Sequence, residues 1–190
     1  MLTKTDFQNF IDYWQRHANE AGGIPYRSAF VLRDIPRVAP YFYLLEWHGP
    51  TTATVRLLGT ALDAFIPDLH VGGDFLGVYK GEQKDFYARA MAPVCGHPCG
   101  ADLLRRITLQ NGRSVEVRGV GFPVRCESGP VTFQLGLTET PDPDTPLGFT
   151  DEFKRARSSI LSLDYIDIGY GIPKEKPAFP PEGDYAGSPK

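Results

Sequence analysis

The residues best suited to chemistry lie between Cys95 and Cys99, where Cys-Gly-His-Pro-Cys sets two thiols around the imidazole of His97. Thiolates and imidazole are zinc ligands, and a structural zinc asks for four of them. With Cys126, the one other thiol of the chain, a three-cysteine, one-histidine set is reached only if that residue folds near the loop. None of the paired spacings typical of zinc sites is present, which favours ordinary loop thiols. The four histidines, His17, His48, His70 and His97, are scattered, and no serine or cysteine stands in a G-x-S-x-G context. Phosphate-cradling loops, kinase boxes and carboxylate pairs on one helix are missing too, so binding is a simpler reading than catalysis.

The totals narrow the classes further. A chain of 190 residues, 42% hydrophobic, fits one domain with extensions and buries a core without staples. A net charge of −3 gives no basic footprint, which argues against nucleic acid or an anionic membrane as the main partner. No apolar run approaches the roughly 18 residues of a membrane span, and Met1 leads into a polar helix start rather than a signal segment. Three cysteines, an odd number, fit free thiols in a reducing cytoplasm. No internal repeat is visible.

The elements follow from periodicity and punctuation. Residues 2–20 read as an amphipathic helix: Phe7, Phe10, Ile11, Trp14 and Ala18 recur at three- and four-residue steps, Thr3 with Asp6 forms a capping box, and Gly22-Gly23 stops it. Pro25, Pro36 and Pro40 confine residues 24–40 to extended chain and a short turn. Residues 41–48 (YFYLLEWH) and 51–59 are the first two strands, turned at Gly49-Pro50. After them the stretch from 55 to 79 (VRLLGTALDAFIPDLHVGGDFLGVY) passes from strand to short helices without a polar loop; Pro67 ends the first helix and Asp74 caps the second. Short helices wrapped over a sheet favour a pocket over a solid core. Residues 82–94 form a helix with Phe86, Tyr87, Ala90, Met91 and Val94 on one face.

Three further strands cover 101–110, 113–125 and 131–139. At the first join, a three-residue loop with Gly112 in the left-handed bulge position pairs Ile107 with Val115, whereas a two-residue loop would pair it with Glu116; burial of Ile107, Val115 and Val117 favours the former. Arg105 then falls on the inner face, where it either reaches water at the strand end, is paired, or meets an anionic ligand. Residues 140–147 (TPDPDTPL) form a linker, 150–162 a short helix capped at Thr150, and 161–173 an alternating strand or arm. That arm would pair with the sheet edge, a second subunit or a partner protein. Residues 174–190, rich in proline and glycine, are expected to be disordered.

The run R-L-L-G-T at 56–60, D-L-x-x-G at 68–72 and D-F-x-x-x-Y at 74–79 resembles a bacterial single-domain PAS family formerly described as a domain of unknown function. The likeness extends back to the helix ending near Trp14 and Pro25 and forward to about residue 138. It implies an α+β fold of the PAS type: a five-stranded antiparallel sheet in the order 2-1-5-4-3, helices over one face, and an N-terminal helix that either packs on its own sheet or makes a dimer contact. The domains would be 1–23 (helix), 24–140 (PAS-like), 141–173 (linker and arm) and 174–190 (tail).

With that resemblance the middle helices enclose a cavity lined by Phe65, His70, Phe75, Tyr79, Phe86, Tyr87, Met91 and Arg105. The implied function is a cytoplasmic sensory or regulatory protein without its own output domain. It would bind a small apolar or aromatic ligand and signal, as a homodimer, to a protein partner such as a histidine kinase. Haem is disfavoured because the helix at 82–94 carries no histidine, and flavin-adduct chemistry because residues 61–69 carry no cysteine. Two other readings stand beside it. One is a cone-shaped, ketosteroid-isomerase-like enzyme using Asp63 or Asp68 with His70. The other is a ligand-free interaction module, expected if the cavity is below about 100 Å3, since ligand pockets run to about 300 Å3 or more.

Overall fold

The computed structural model describes residues 2–66, 68–127, 129–140 and 156–184. Seven antiparallel strands form one sheet in the order β2-β1-β5-β4-β3-β6-β7: β1 Phe42–Trp47, β2 Ala53–Leu58, β3 Gly100–Thr108, β4 Ser114–Arg125, β5 Val131–Thr138, β6 Arg157–Ile166 and β7 Gly183–Asp184. The order 2-1-5-4-3 expected for the first five is present. The five-stranded sheet is corrected to seven by two strands from the C-terminal segment. Between β2 and β3 lie α2 (Thr60–Phe65), a 3-10 turn (Phe75–Val78), α3 (Gly81–Met91) and α4 (Pro93–Gly96).

Strand alternation sends side chains to two cores. Tyr43, Leu45 and Trp47 of β1 face the short helices together with Leu103, Ile107 and Val117, whereas Phe42 and Leu44 join Val120, Phe122, Val124, Phe133, Leu135 and Leu137 on the opposite face. Helix α1 (Lys4–Ala21) covers that opposite face with Phe7, Phe10 and Trp14. Trp14 stacks on Phe122 at 4.8 Å and donates its indole N–H to the Pro123 carbonyl. The apolar stripe of the helix is therefore spent on its own sheet. The connector to β1 holds three 3-10 turns, Arg27–Ala29, Leu32–Asp34 and Ala39–Tyr41, which roof the rest of this face. The molecule thus has three layers, with the sheet in the middle.

The expected capping box is formed. The Asp6 N–H donates to Thr3 Oγ1 at 3.2 Å and the Asp6 carboxylate accepts from Thr3 N at 2.8 Å. The β3–β4 hairpin has the three-residue register, with Ile107 opposite Val115, Gly112 at φ 81°, and Leu109 N–H donating to the Arg113 carbonyl.

Two expectations about the C-terminal segment are corrected. Residues 157–162 are strand rather than helix, because β6 supplies the backbone partners that the edge of β3 needs; the remainder of that expected helix, 150–155, lies outside the described residues. The alternating arm expected at 161–173 is strand over 161–166, paired with the edge of β3, and a bulge marks its start: Leu104 faces Ser162 while Arg105 faces Ile160, so Leu161 is the extra residue. That insertion lets both Ile160 and Leu163 reach the helix-side core. Residues 174–184 are not disordered but form a strap. Phe179 meets Phe86 edge-on at 5.9 Å, Gln83 Nε2 donates to the carbonyls of Ser158 and Pro181, and β7 pairs with the start of β6. Residues 141–149 and 185–190 lie outside the described residues.

Candidate functional site

The helices between β2 and β3 are held over the sheet by short, specific contacts. Gly72 N–H and Gly73 C=O pair with Val55, and Asp74 caps the 3-10 turn by accepting from Leu76 N–H at 3.1 Å. This anchors Phe75 and Tyr79 against α3, where Tyr79 stacks on Tyr87 at 3.9 Å and Phe75 meets Tyr79 edge-on at 5.5 Å. Beneath these rings lies an apolar cavity of about 60 Å3 bounded by Leu45, Val55, Leu58, Leu62, Ile66, Leu69, Met91, Leu103 and Val117.

Of the eight residues expected at the cavity, Phe75, Tyr79, Tyr87, Met91 and Arg105 line it. His70 does not: it is exposed, with Nδ1 3.2 Å from the Asp68 carbonyl in the turn before the cavity wall. Phe86 is fully buried but off the wall, because its ring packs between Tyr87 and Phe179. The side chain of Phe65 lies outside the described atoms. Arg105 is 5% exposed, so the strand-end route to water is ruled out; Nη1 donates to the Tyr87 hydroxyl at 3.3 Å. A guanidinium at this depth is tolerable only with such polar company.

The floor of the cavity escaped the sequence reading. Tyr43, Gly136 and Gly121 sit opposite one another on β1, β5 and β4. Neither glycine has a side chain to lift the Tyr43 ring, which lies flat across them; a Cβ at Gly136 would overlap it. Gln134 ties this floor together, donating to the Tyr43 hydroxyl at 3.2 Å and accepting from the Trp47 indole at 3.1 Å. Burial pushes the Tyr43 hydroxyl far above its ordinary range, so it stays a neutral phenol. Glycines inside strands were the available signal, since they mark close approach.

The candidate metal loop is not assembled. Among the described residues no three of His, Cys, Asp and Glu are placed to hold a metal ion, so Cys95, His97, Cys99 and Cys126 form no such group. Cys95 instead donates to the Phe133 carbonyl, and Cys99 is fully buried in the core beside β3. Burial pushes the Cys95 thiol up to about 12 and that of Cys99 up to about 11. Both are thiols rather than thiolates at neutral pH, and so weak nucleophiles. Nor do the acids of the isomerase-like reading converge: Asp63, Asp68 and His70 are all exposed and none lines the cavity.

The decisive geometry is the β1–β2 hairpin with the short helices inserted between β2 and β3, closed by a three-stranded meander. A family model for the PAS domain matches residues 2–139. The chain belongs to the PAS domain family. Nothing matches among the curated proteins or among the solved structures. The PAS match ends just after β5, so β6, the strap and β7 are additions that widen the PAS sheet on its β3 side. Among the described residues no helix is long and apolar enough to cross a membrane.

Proposed function

We propose that this PAS chain is a regulatory module that acts in the cytoplasm through protein contact, alone or as a homodimer. A histidine kinase is the partner suggested by the likeness to single-domain PAS proteins. The observation that carries this reading is the cavity: about 60 Å3 lies below the roughly 100 Å3 needed to admit a metabolite and far below the ~300 Å3 of ordinary ligand pockets. In the state described, the Tyr79–Tyr87 stack fills the space a ligand would take.

A second reading keeps the small apolar or aromatic ligand. It is favoured by the polar end of an otherwise apolar cavity, where Tyr43, Tyr87 and Arg105 sit together. A ligand would enter by swinging the Tyr79 ring outward, and the displaced 3-10 turn would carry the signal through the backbone pairing of residues 72–73 with β2.

Native mass spectrometry and an absorption spectrum of protein purified from its own host separate the two. A retained mass or a visible band establishes the ligand sensor. A bare, colourless chain leaves protein contact, tested by the autophosphorylation rates of the host's purified histidine kinases with and without the protein. Unchanged rates across that set would remove the kinase as partner.

A further inference from the structure

A second apolar pocket lies on the other side of the sheet. Beneath the connector from α1 to β1, a cavity of about 130 Å3 is walled by Phe30, Leu32, Leu44, Leu57, Val124 and Leu135, with Arg27 at its rim. It is about twice the volume of the helix-side cavity and close to the roughly 150 Å3 of an apolar cavity that accepts benzene. The sheet supplies a floor of four aliphatic side chains from β1, β2, β4 and β5. Two 3-10 turns supply the roof, anchored where Tyr13 Oη accepts from Val31 N–H at 3.0 Å and where Phe30 packs edge-on against Tyr13 and His17. The Arg27 guanidinium is held at the rim 5.0 Å above the Phe133 ring, and Glu127 accepts a hydrogen bond from Ser28 Oγ at 2.7 Å.

From this geometry we infer that the α1-side cavity is a binding site for a compact apolar anion, one aromatic ring or a short branched chain bearing a carboxylate. The apolar body sits between Leu57 and Leu135, and the carboxylate points outward to Arg27. Size sets the class: the space holds a single ring, not a fused cofactor. Charge sets the orientation, because an aliphatic floor offers no hydrogen bond and the cation stands at the mouth. The site is independent of the helix-side cavity, which faces the opposite side of the same strands.

The test uses the full chain with labelled leucine and valine methyls, titrated with benzoate and with neutral benzyl alcohol up to about 10 mM, above the millimolar affinity expected of so small a ligand. Benzoate should shift the methyls of Leu44, Leu57, Val124 and Leu135 saturably. Benzyl alcohol should bind about two- to fivefold more weakly, the share of an exposed ion pair. Arg27→Gln, on the surface, should erase that difference, and Leu57→Phe, which fills the space, should abolish the shifts. Absent shifts, shifts confined to Leu62 and Leu103 of the helix-side cavity, or full benzoate affinity in Arg27→Gln overturn the inference. Shifts at Leu62 and Leu103 would instead support the ligand-sensing reading above.

Discussion

Asp6 serves two elements at once. Its carboxylate closes the capping box of α1 and also takes Arg37 Nε at 2.7 Å and Nη2 at 3.1 Å, which pins the connector to the start of the helix. The Arg37 guanidinium, with help from Thr3, holds that carboxyl well below the usual carboxylate range. A carboxyl whose folded pKa is depressed contributes stability that is present above the unfolded value of about 3.9 and is lost as pH falls through the lowered one. Asp6→Asn should therefore cost about 1–2 kcal/mol near neutral pH, and the difference from the parent should shrink in denaturant titrations carried toward pH 3. A constant difference would mean that the charge contributes nothing. The Tyr43 floor is the other residue-scale test. Gly136→Ala should cost about 1–3 kcal/mol because a Cβ there overlaps the Tyr43 ring and must lift it from the sheet, away from its Gln134 partner, and wild-type stability in that variant would show the floor to be loose.

At the scale of elements, the edge of β3 is where this chain departs from a bare PAS sheet. Strand β6 pairs along all of β3, and Tyr165 donates to the Ala90 carbonyl of α3 at 3.1 Å. The strap then returns over α3, with Lys176 paired to Asp164 at 2.7 Å and Pro181 held by Gln83. Truncation of residues 174–190 should uncover Phe86 and leave Gln83 without its Pro181 partner, a loss of about 1–3 kcal/mol read as a lower melting temperature. An unchanged melting temperature would return the tail to the status its composition suggests. Sequence could not foresee the strap: its prolines and charges read as disorder, and its one large apolar anchor, Phe179, finds a partner only after α3 has folded.

For the whole molecule, the question is whether two cores on one sheet behave as one. Trp14 lies in the α1 layer and Trp47 in the helix-side layer, both nearly fully buried. Because every central strand feeds both layers, unfolding one face strips the other of its floor. Fluorescence transitions of Trp14→Phe and Trp47→Phe proteins, each reporting from one side, should keep the same slope and track the global transition of that protein by circular dichroism. A fluorescence transition that precedes the circular-dichroism one would reveal a face that opens alone, the kind of motion a sensor needs.

What local chemistry encodes was readable beforehand. The capping box, the 3.6-residue stripe of α1 and the hairpin register at Gly112 each depend on neighbours in sequence or on a period of two, whereas the order of the first five strands came from the PAS likeness alone. Burial direction was legible as well, which is why Phe75, Tyr79, Tyr87, Met91 and Arg105 reach one wall. Tertiary packing alone decided the remainder. The volume left between rings is a small difference between large filled volumes, so no pattern of residue types announces 60 Å3 on one face and 130 Å3 on the other. Likewise, whether an alternating arm pairs with its own sheet or with another molecule depends on which edge is vacant when it arrives. Here the vacant edge was β3, and β6 took it.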